Sequence, residues 1–152
     1  MLSKIKIFLA EDDEDDCFIF KEALDQLKIA TTLKLFENGE LLMNYLIDAE
    51  ELPQMVFMDI NMPRKDGFTC ITEMKQHEKL KALPVIILST SCEKTMINRF
   101  YKSGALFYIC KPIEFSEFKN LINTAITRVL IPALHTEENF VILPYNHHNE
   151  IK

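Results

Sequence analysis

The sequence predicts an α/β fold, a doubly wound parallel sheet with helices on both of its faces. Short apolar segments alternate along the chain with segments whose apolar residues recur every three or four positions, the spacing of a helix face. Most of the short segments are apolar throughout, as in strands that are buried on both sides. Right-handed crossovers between such strands produce a doubly wound α/β sandwich.

Five strands are predicted, at 5–10, 31–36, 55–58, 85–88 and 105–110. The first is short and mostly apolar, and the second is rich in β-favouring residues and alternates. Pro53 opens the third and Pro84 the fourth, and both are continuous apolar runs that end at a polar residue. The fifth begins after Gly104, which is expected to stop the helix before it.

A helix is predicted after each strand. The first follows a run of six acids, 11–16, whose last three members should lie where negative charge meets the positive end of the helix dipole. Asn38–Gly39 should form a turn before the second helix, and Ser116 should cap the last one. The five apolar faces consist of Cys17, Phe20, Leu24 and Leu27; Leu41, Leu42, Tyr45 and Leu46; Phe68, Ile71 and Met74; Met96, Ile97, Phe100 and Tyr101; and Leu121, Ile122, Ala125, Ile126, Val129 and Leu130.

Composition excludes several classes of function. The net charge of −6, from 17 basic and 23 acidic residues, argues against nucleic acid or an anionic membrane surface as the main partner. No apolar stretch is long enough to span a membrane, and the N-terminal apolar run ends in acids, unlike a signal peptide. The four cysteines have no metal-site spacing, so we expect reduced thiols in a cytoplasmic protein.

Polar residues of types that often act in binding or catalysis follow four of the five predicted strands. Glu11 and Asp12 follow the first, Asp59 the third, Ser89 the fourth and Lys111 the fifth. The carboxyl ends of parallel strands meet at one edge of a sheet, and doubly wound folds bind ligands there. We therefore expect these five side chains to converge.

Such a cluster would need a cation. Two carboxylates 4 Å apart repel by about 4 kcal/mol at an effective dielectric constant of 20. Hard oxygen ligands in a small site suit Mg²⁺, or Mn²⁺ in its place. With the ammonium of Lys111 and the hydroxyl of Ser89 nearby, the site would stabilise a phosphoryl group while a carboxylate attacks it.

A set of short motifs, in order along about 5–130, resembles the receiver domain of bacterial two-component response regulators. Each motif is weak alone, and their order at successive strand ends makes the combination specific. The resemblance implies a flavodoxin-like fold with five helices and a sheet order of 2-1-3-4-5. The motifs are Glu11-Asp12, Asp59-Ile60-Asn61-Met62-Pro63, Asp66-Gly67, Ser89-Thr90, Gly104-Ala105 and Tyr108-Ile109-Cys110-Lys111-Pro112.

The resemblance implies roles for the acidic residues. Asp59 would be the phosphoacceptor. Asp12 would ligate Mg²⁺ directly and Glu11 through water, and the backbone carbonyl of Asn61 would be a further ligand, with Asp59 itself in the set.

The resemblance also implies roles for Ser89, Lys111 and Tyr108. Ser89 would hydrogen-bond the phosphoryl group and Lys111 would pair with it. Tyr108 would be the aromatic switch, turning inward when Ser89 moves. The Lys111–Pro112 peptide bond is expected to be cis, an arrangement that proline alone makes inexpensive.

The predicted function is that of a single-domain response regulator, similar to the stand-alone chemotaxis receivers and to those that serve phytochrome-type histidine kinases. It would accept a phosphoryl group from a sensor histidine kinase or a histidine phosphotransfer protein and signal to a downstream protein, with a homodimer as a further option. It would catalyse only its own modification. The alternatives are a Mg²⁺-dependent phosphohydrolase with an aspartyl nucleophile, or an interaction module that does not depend on phosphorylation.

The predicted domain organisation is a receiver domain over 1–131 and a C-terminal extension over 132–152, without a separate output domain. The extension contains a short apolar segment, 140–143, which a disordered tail would rarely concentrate. It could pack on its own domain or on a partner as an arm. The extension is short and not basic, so the signal should leave through a protein contact on the face of the fourth helix, fifth strand and fifth helix.

Overall fold

The computed structural model describes residues 4–131 and 139–143. Strands and helices alternate through residue 130, and one short strand follows. The strands are β1 (Ile5–Ala10), β2 (Thr31–Phe36), β3 (Met55–Asp59), β4 (Val85–Ser89), β5 (Phe107–Cys110) and β6 (Val141–Ile142). The helices are α1 (Glu14–Asp25), α2 (Gly39–Asp48), α3 (Gly67–Gln76), α4 (Lys94–Ser103) and α5 (Phe115–Leu130). Within the described ranges, no helix has the length and apolarity needed to cross a membrane.

The strands form one parallel sheet in the order β2-β1-β3-β4-β5-β6. The predicted fold and its strand order 2-1-3-4-5 are therefore confirmed, and β6 extends the sheet beyond β5. The order reverses between β1 and β3, where Ala10 pairs with Met58. This reversal opens a crevice at the carboxyl ends of the two strands, which is where doubly wound folds hold their ligands.

Two hydrophobic clusters lie on opposite faces of the sheet. Alternate residues of β3 belong to different clusters, Phe57 packing with α1 and α5 and Met58 with α2 and α3. Both side chains are fully buried, and burying each stabilises the fold by roughly 1.5–3 kcal/mol. Since both faces are covered, the carboxyl edge of the sheet is left as the place where polar groups can meet.

Three helices begin at a side-chain cap. Asp13, Asn38 and Asp66 accept hydrogen bonds from backbone N–H groups three residues on, at 3.0, 2.9 and 2.8 Å. The prediction that Ser116 caps the last helix is wrong, because α5 begins at Phe115 and Glu114 occupies the cap position without a side-chain hydrogen bond. An acid there still favours the helix through its charge.

The described part of the C-terminal extension packs on its own domain. Tyr108 donates its backbone N–H to the carbonyl of Phe140 at 2.9 Å, and β6 pairs with β5 from there. The Phe140 ring is 4% exposed and lies 5.0 Å, centroid to centroid, from the ring of Tyr101. The apolar segment 140–143 was predicted to pack either on its own domain or on a partner, and in the structure it packs on its own domain.

The cysteines differ from expectation. Cys92 and Cys110 are paired as a disulfide with their Cα atoms 5.6 Å apart, whereas Cys17 and Cys70 are free thiols as predicted. The expectation of reduced thiols is therefore wrong for the first pair. Nothing in a separation of 18 residues indicates the contact, which arises because the loop after β4 passes over the end of β5.

Candidate functional site

Three acidic side chains converge at the carboxyl edge of the sheet. Glu11, Asp12 and Asp59 each offer a carboxylate oxygen, and these oxygens all lie within 4.8 Å of one another. The first two residues directly follow β1 and the third ends β3, which is the neighbouring strand. Glu11 is buried and Asp12 is exposed. The convergence expected from the strand ends is present, in a cluster that can hold a divalent cation.

Lys111 places one positive charge among these acids. Its Nζ lies 3.1 Å from Glu11 Oε1 and 3.6 Å from Asp59 Oδ1. A third carboxylate oxygen, Oδ2 of Asp16, is 3.8 Å away. The lysine side chain is only 16% exposed, so water screens these pairs less than it would at the surface. One ammonium does not balance the surrounding carboxylates, and the site keeps an excess of negative charge.

The pKa values at the site reflect the burial of these groups together with their charges. Burial raises the pKa of Glu11 from 4.5 to about 7, with Asp59 adding to the rise and Lys111 opposing it. Burial also raises the pKa of Asp59, again against Lys111. Burial alone would lower the pKa of Lys111, but the two carboxylates outweigh it and the pKa is raised. Without a further cation, the carboxylates therefore tend to take up a proton.

The loop after β3 is held close beneath the acidic cluster. The backbone N–H of Gly67 donates to the carbonyl of Ile60 at 2.9 Å. A Cβ at position 67 would stand 2.9 Å from the carbonyl oxygen of Asp59, so only glycine fits this approach. Arg64, with φ of 68°, supplies the reversal of the chain. Asn61 is in this loop, two residues after Asp59, and its role as a carbonyl ligand stays a prediction.

The hydroxyl predicted to contact a phosphoryl group lies at the end of the next strand. Ser89 is 5% exposed, and its Oγ accepts a hydrogen bond from the N–H of Ser91 at 3.0 Å. Its carbonyl accepts from the N–H of Lys111 at 2.7 Å, which ties the ends of β4 and β5 together. The acidic cluster, the hydroxyl and the ammonium thus occupy the ends of four neighbouring strands, β1, β3, β4 and β5.

Tyr108 occupies an inward position. Its side chain is fully buried, and its hydroxyl donates to the carbonyl of Ser91 at 2.7 Å. The ring thereby connects β5 to the loop between β4 and α4. The prediction that Tyr108 is a switch residue stays a prediction, but the residue contacts the loop whose movement it would have to sense.

The expectation of a cis Lys111–Pro112 peptide bond is wrong, because the described residues contain no cis peptide bond. The trans isomer is favoured by roughly 0.5–1 kcal/mol before proline. Even with that bond trans, Lys111 Nζ reaches Glu11 and Asp59.

Sequence reasoning missed two contacts of the site. The ion pair of Lys111 with Glu11 joins residues 100 positions apart, and neither residue type indicates its partner. Asp16 was expected only at the start of a helix, yet its carboxylate also faces Lys111.

A small cavity of about 180 Å³ opens beside the lysine. It lies between α1 and the loop that joins β5 to α5, and its lining is mostly apolar apart from Glu11, Asp16, Lys111 and Glu114. On its rim Ile113 is fully exposed, and Ile19 and Phe115 are 41% and 37% exposed. Exposed apolar side chains of this size beside a charged site are typical of a protein contact.

The chain matches the family model described as "Response regulator receiver domain" over residues 7–123. It is 30% identical over 121 residues to response regulator Rcp1 of Synechocystis, covering 76% of this chain and 82% of that protein. Some relatives are much longer. The chain spans 15% of the Helicobacter pylori sensor histidine kinase CheAY and 50% of the Bacillus subtilis C4-dicarboxylate response regulator DctR.

Solved structures of two relatives superpose on the fold. The phosphorylated cyanobacterial phytochrome response regulator RcpA has a TM-score of 0.77 and 28% identity, over 86% of this chain and 96% of that one. The Mn²⁺-bound form of response regulator Rcp1 has a TM-score of 0.72 and 25% identity, over 81% of this chain and 92% of that one. The similarity therefore covers most of the chain.

Proposed function

Because this chain belongs to the response regulator receiver domain family, we propose that it is a phosphorylation-dependent signalling receiver in which Asp59 carries the phosphoryl group. The observation that carries the proposal is the position of the Asp59 carboxylate, 3.6 Å from Lys111 Nζ and grouped with Glu11 and Asp12. A carboxylate in that setting lies beside a cation at the edge of the sheet, where a donor can approach it.

In the proposed reaction, an oxygen of Asp59 attacks the phosphorus of a phosphohistidine or of a small acyl phosphate. The bond from phosphorus to the leaving nitrogen or oxygen breaks as the new O–P bond forms. Lys111 Nζ moves from its contact with Glu11 to pair with a phosphoryl oxygen, and the Ser89 hydroxyl donates to another. Donors placed where charge accumulates stabilise such a transfer.

The residues fit a hard divalent cation. Three carboxylates share a single ammonium, and burial, with Asp59 adding to its effect, raises the pKa of Glu11 to about 7 against the opposing charge of Lys111. Glu11, Asp12, Asp59 and the Asn61 carbonyl would hold Mg²⁺, with Mn²⁺ as a substitute, and the ion would offset the charge that carboxylates and phosphoryl oxygens bring together. The Mn²⁺-bound form of the relative Rcp1 supports this assignment.

The signal would be a local change of charge. A phosphoryl group adds about −1.5 to −2 at neutral pH, next to Ser89. The Ser89 hydroxyl accepts from the N–H of Ser91, whose carbonyl accepts from the hydroxyl of Tyr108, so a turn of Ser89 toward the phosphoryl group would draw this loop with it. Movement of the β4–α4 loop and of Tyr108 would then alter the surface of α4, β5 and α5, where we place the contact with a downstream protein.

The proposed donor is a sensor histidine kinase or a histidine phosphotransfer protein in the cytoplasm. The apolar rim of Ile19, Ile113 and Phe115 lies beside Lys111 and would seat such a protein with its phosphohistidine over the acidic edge. The similarity to a phytochrome response regulator favours a phytochrome-type kinase. We also propose that residues 1–131 form the receiver domain, that 132–152 form an extension, and that the protein can form a homodimer.

The test is to incubate the full chain with Mg²⁺ and acetyl phosphate and measure its intact mass. We expect the mass of one phosphoryl group on the wild type and none on Asp59→Asn. The matched control is Asp48→Asn, which changes an exposed acid at the far end of α2, on the opposite edge of the sheet, and should be modified like the wild type. An unmodified wild type, or full modification of Asp59→Asn, would refute the assignment. Turnover of a phosphomonoester would favour the phosphohydrolase alternative.

A further inference from the structure

Two cysteines lie on either side of the residues proposed to bind the phosphoryl group. Cys92 is in the loop between β4 and α4, three residues after Ser89. Cys110 is the last residue of β5, next to Lys111 and directly opposite Ser89 in the sheet register. Their Cα atoms are 5.6 Å apart, inside the roughly 4.4–6.8 Å range over which two cysteines can be joined without moving the backbone.

The two sulfur positions differ in access. Cys92 is exposed, whereas Cys110 is 8% exposed and belongs to the core. A reagent in solution therefore reaches Cys92 first, and Cys110 is placed to attack the product from inside. An exposed thiol with a resolving partner is the arrangement of redox-responsive sites. Cys17 and Cys70 have no such partner.

We propose that Cys92 and Cys110 are a reversible thiol–disulfide site whose oxidation slows phosphoryl acceptance at Asp59. The oxidant is a low-molecular-weight disulfide. The Cys92 thiolate attacks it, forming a mixed disulfide and releasing one thiolate. The Cys110 thiolate then attacks the Cys92 sulfur and releases the second thiol. Two protein thiols lose two electrons and two protons, and the small disulfide becomes two thiols. A dithiol reverses the reaction.

The link would restrain the loop that has to move. Ser91 lies between Ser89 and Cys92, with its N–H on the Ser89 hydroxyl and its carbonyl on the Tyr108 hydroxyl. With Cys92 bonded to the end of β5, the loop is held in that arrangement, and it restrains the Ser89 side chain that it contacts through the Ser91 N–H. With the bond reduced, the loop is released and Ser89 can turn toward Asp59. This second half of the inference rests on the proposed function.

The first experiment tests the site itself. Reduced full-length protein is treated with oxidised glutathione, alkylated, digested and examined by mass spectrometry. We expect a linked peptide pair containing Cys92 and Cys110, with Cys17 and Cys70 alkylated. The Cys92→Ser variant should give no such link, and the double variant Cys17→Ala with Cys70→Ala should give it fully. No link in the wild type, or a link involving Cys17 or Cys70 instead, would overturn the site.

The second experiment tests the coupling by comparing initial rates of phosphorylation with acetyl phosphate and Mg²⁺ in the oxidised and reduced proteins. We expect the oxidised form to react about tenfold more slowly, the loss expected when a hydrogen bond to a charged group is withheld, and dithiothreitol to restore the rate. Cys92→Ser should not respond to the oxidant. Equal rates in the two forms would overturn the coupling. If the reduced wild type takes no phosphoryl group, both the proposed function and the coupling are refuted. The thiol site is then still decided by the peptide link in the first experiment.

Discussion

Lys111 Nζ lies 3.1 Å from Glu11 Oε1, and this contact joins the end of β5 to the end of β1 across 100 residues of sequence. Lys111 does not fully neutralise Glu11, because Asp59 Oδ1 is also 3.6 Å from the same nitrogen. The pair therefore stabilises the metal-free fold, although the site keeps an excess of negative charge. Replacing Lys111 measures how much the pair contributes to stability.

Replacing Lys111 with methionine should destabilise the metal-free protein by about 2 kcal/mol at pH 8, since two buried carboxylates lose their charged partner. The loss should be smaller at pH 5, where Glu11 is protonated. Urea unfolding followed by circular dichroism measures it. Lys21→Met, which breaks an exposed pair with Asp25 on α1, should change stability by less than about 1 kcal/mol. Equal losses in the two variants would contradict the buried pair.

The metal-free protein should lose stability as pH rises from about 4.5 to 7 because of Glu11. Its pKa is raised from 4.5 to about 7 by burial, so between these values the folded state binds more protons than the unfolded chain, and the free energy of unfolding falls with pH. The loss should be up to about 3 kcal/mol. It should be much smaller in Glu11→Gln, in which the raised pKa of Asp59 is the remaining contribution from the acidic cluster. Identical pH profiles of stability for the two proteins would show that Glu11 does not titrate in this range.

Mg²⁺ should raise the melting temperature at pH 7.5, because it binds the folded cluster and offsets the repulsion of its carboxylates. At a concentration a hundred times the dissociation constant, the gain is about 2.7 kcal/mol. Asp12→Asn should lose most of the gain, and Asp48→Asn should keep it. Calorimetry at increasing Mg²⁺, with a chelator as the reference, measures the effect, and a gain unchanged in Asp12→Asn would place the ion elsewhere.

Tyr108→Phe should reduce the free energy of unfolding by about 1 kcal/mol, because the carbonyl of Ser91 loses the hydrogen bond that the buried hydroxyl donates at 2.7 Å. Tyr45→Phe is the matched control, since that side chain is 44% exposed and water can replace its hydroxyl contact. Denaturant unfolding of both variants compares them. A loss of the same size in Tyr45→Phe would mean that the Ser91 contact is not what the phenol contributes.

The element pattern could be predicted from the chain because local rules determine it. Continuous apolar runs such as 55–58 bury on both faces of a sheet, and Gly104, with φ of 96°, ends α4 as expected. The caps were predicted less well. Ser116 was predicted to cap the last helix, but the cap position is Glu114, two residues earlier, so packing of α5 in the fold outweighs a cap of about 1 kcal/mol. The strand β6 was predicted only as an apolar segment that could pack on its own domain or on a partner.

The acidic site was predictable to the extent that parallel strands share an edge. Glu11, Asp12 and Asp59 follow β1 and β3, so their meeting needs only the strand order. The contact of Asp16 with Lys111 was not predictable, because it depends on the rotation of α1 about its axis. The same holds for Cys92 and Cys110, whose pairing depends on the course of one loop over one strand end.

By itself, the sequence determined the alternation of strands and helices and which residue types would stand at the carboxyl edge, because hydrophobic periodicity and chain direction act over a few residues at a time. Only the tertiary structure decided which groups at that edge touch. It determined that Lys111 contacts both Glu11 and Asp59, and that the Tyr108 hydroxyl donates a hydrogen bond to the β4–α4 loop. Those contacts depend on separations of a few ångströms between residues far apart in the chain, and packing of the whole sheet and its helices sets such separations.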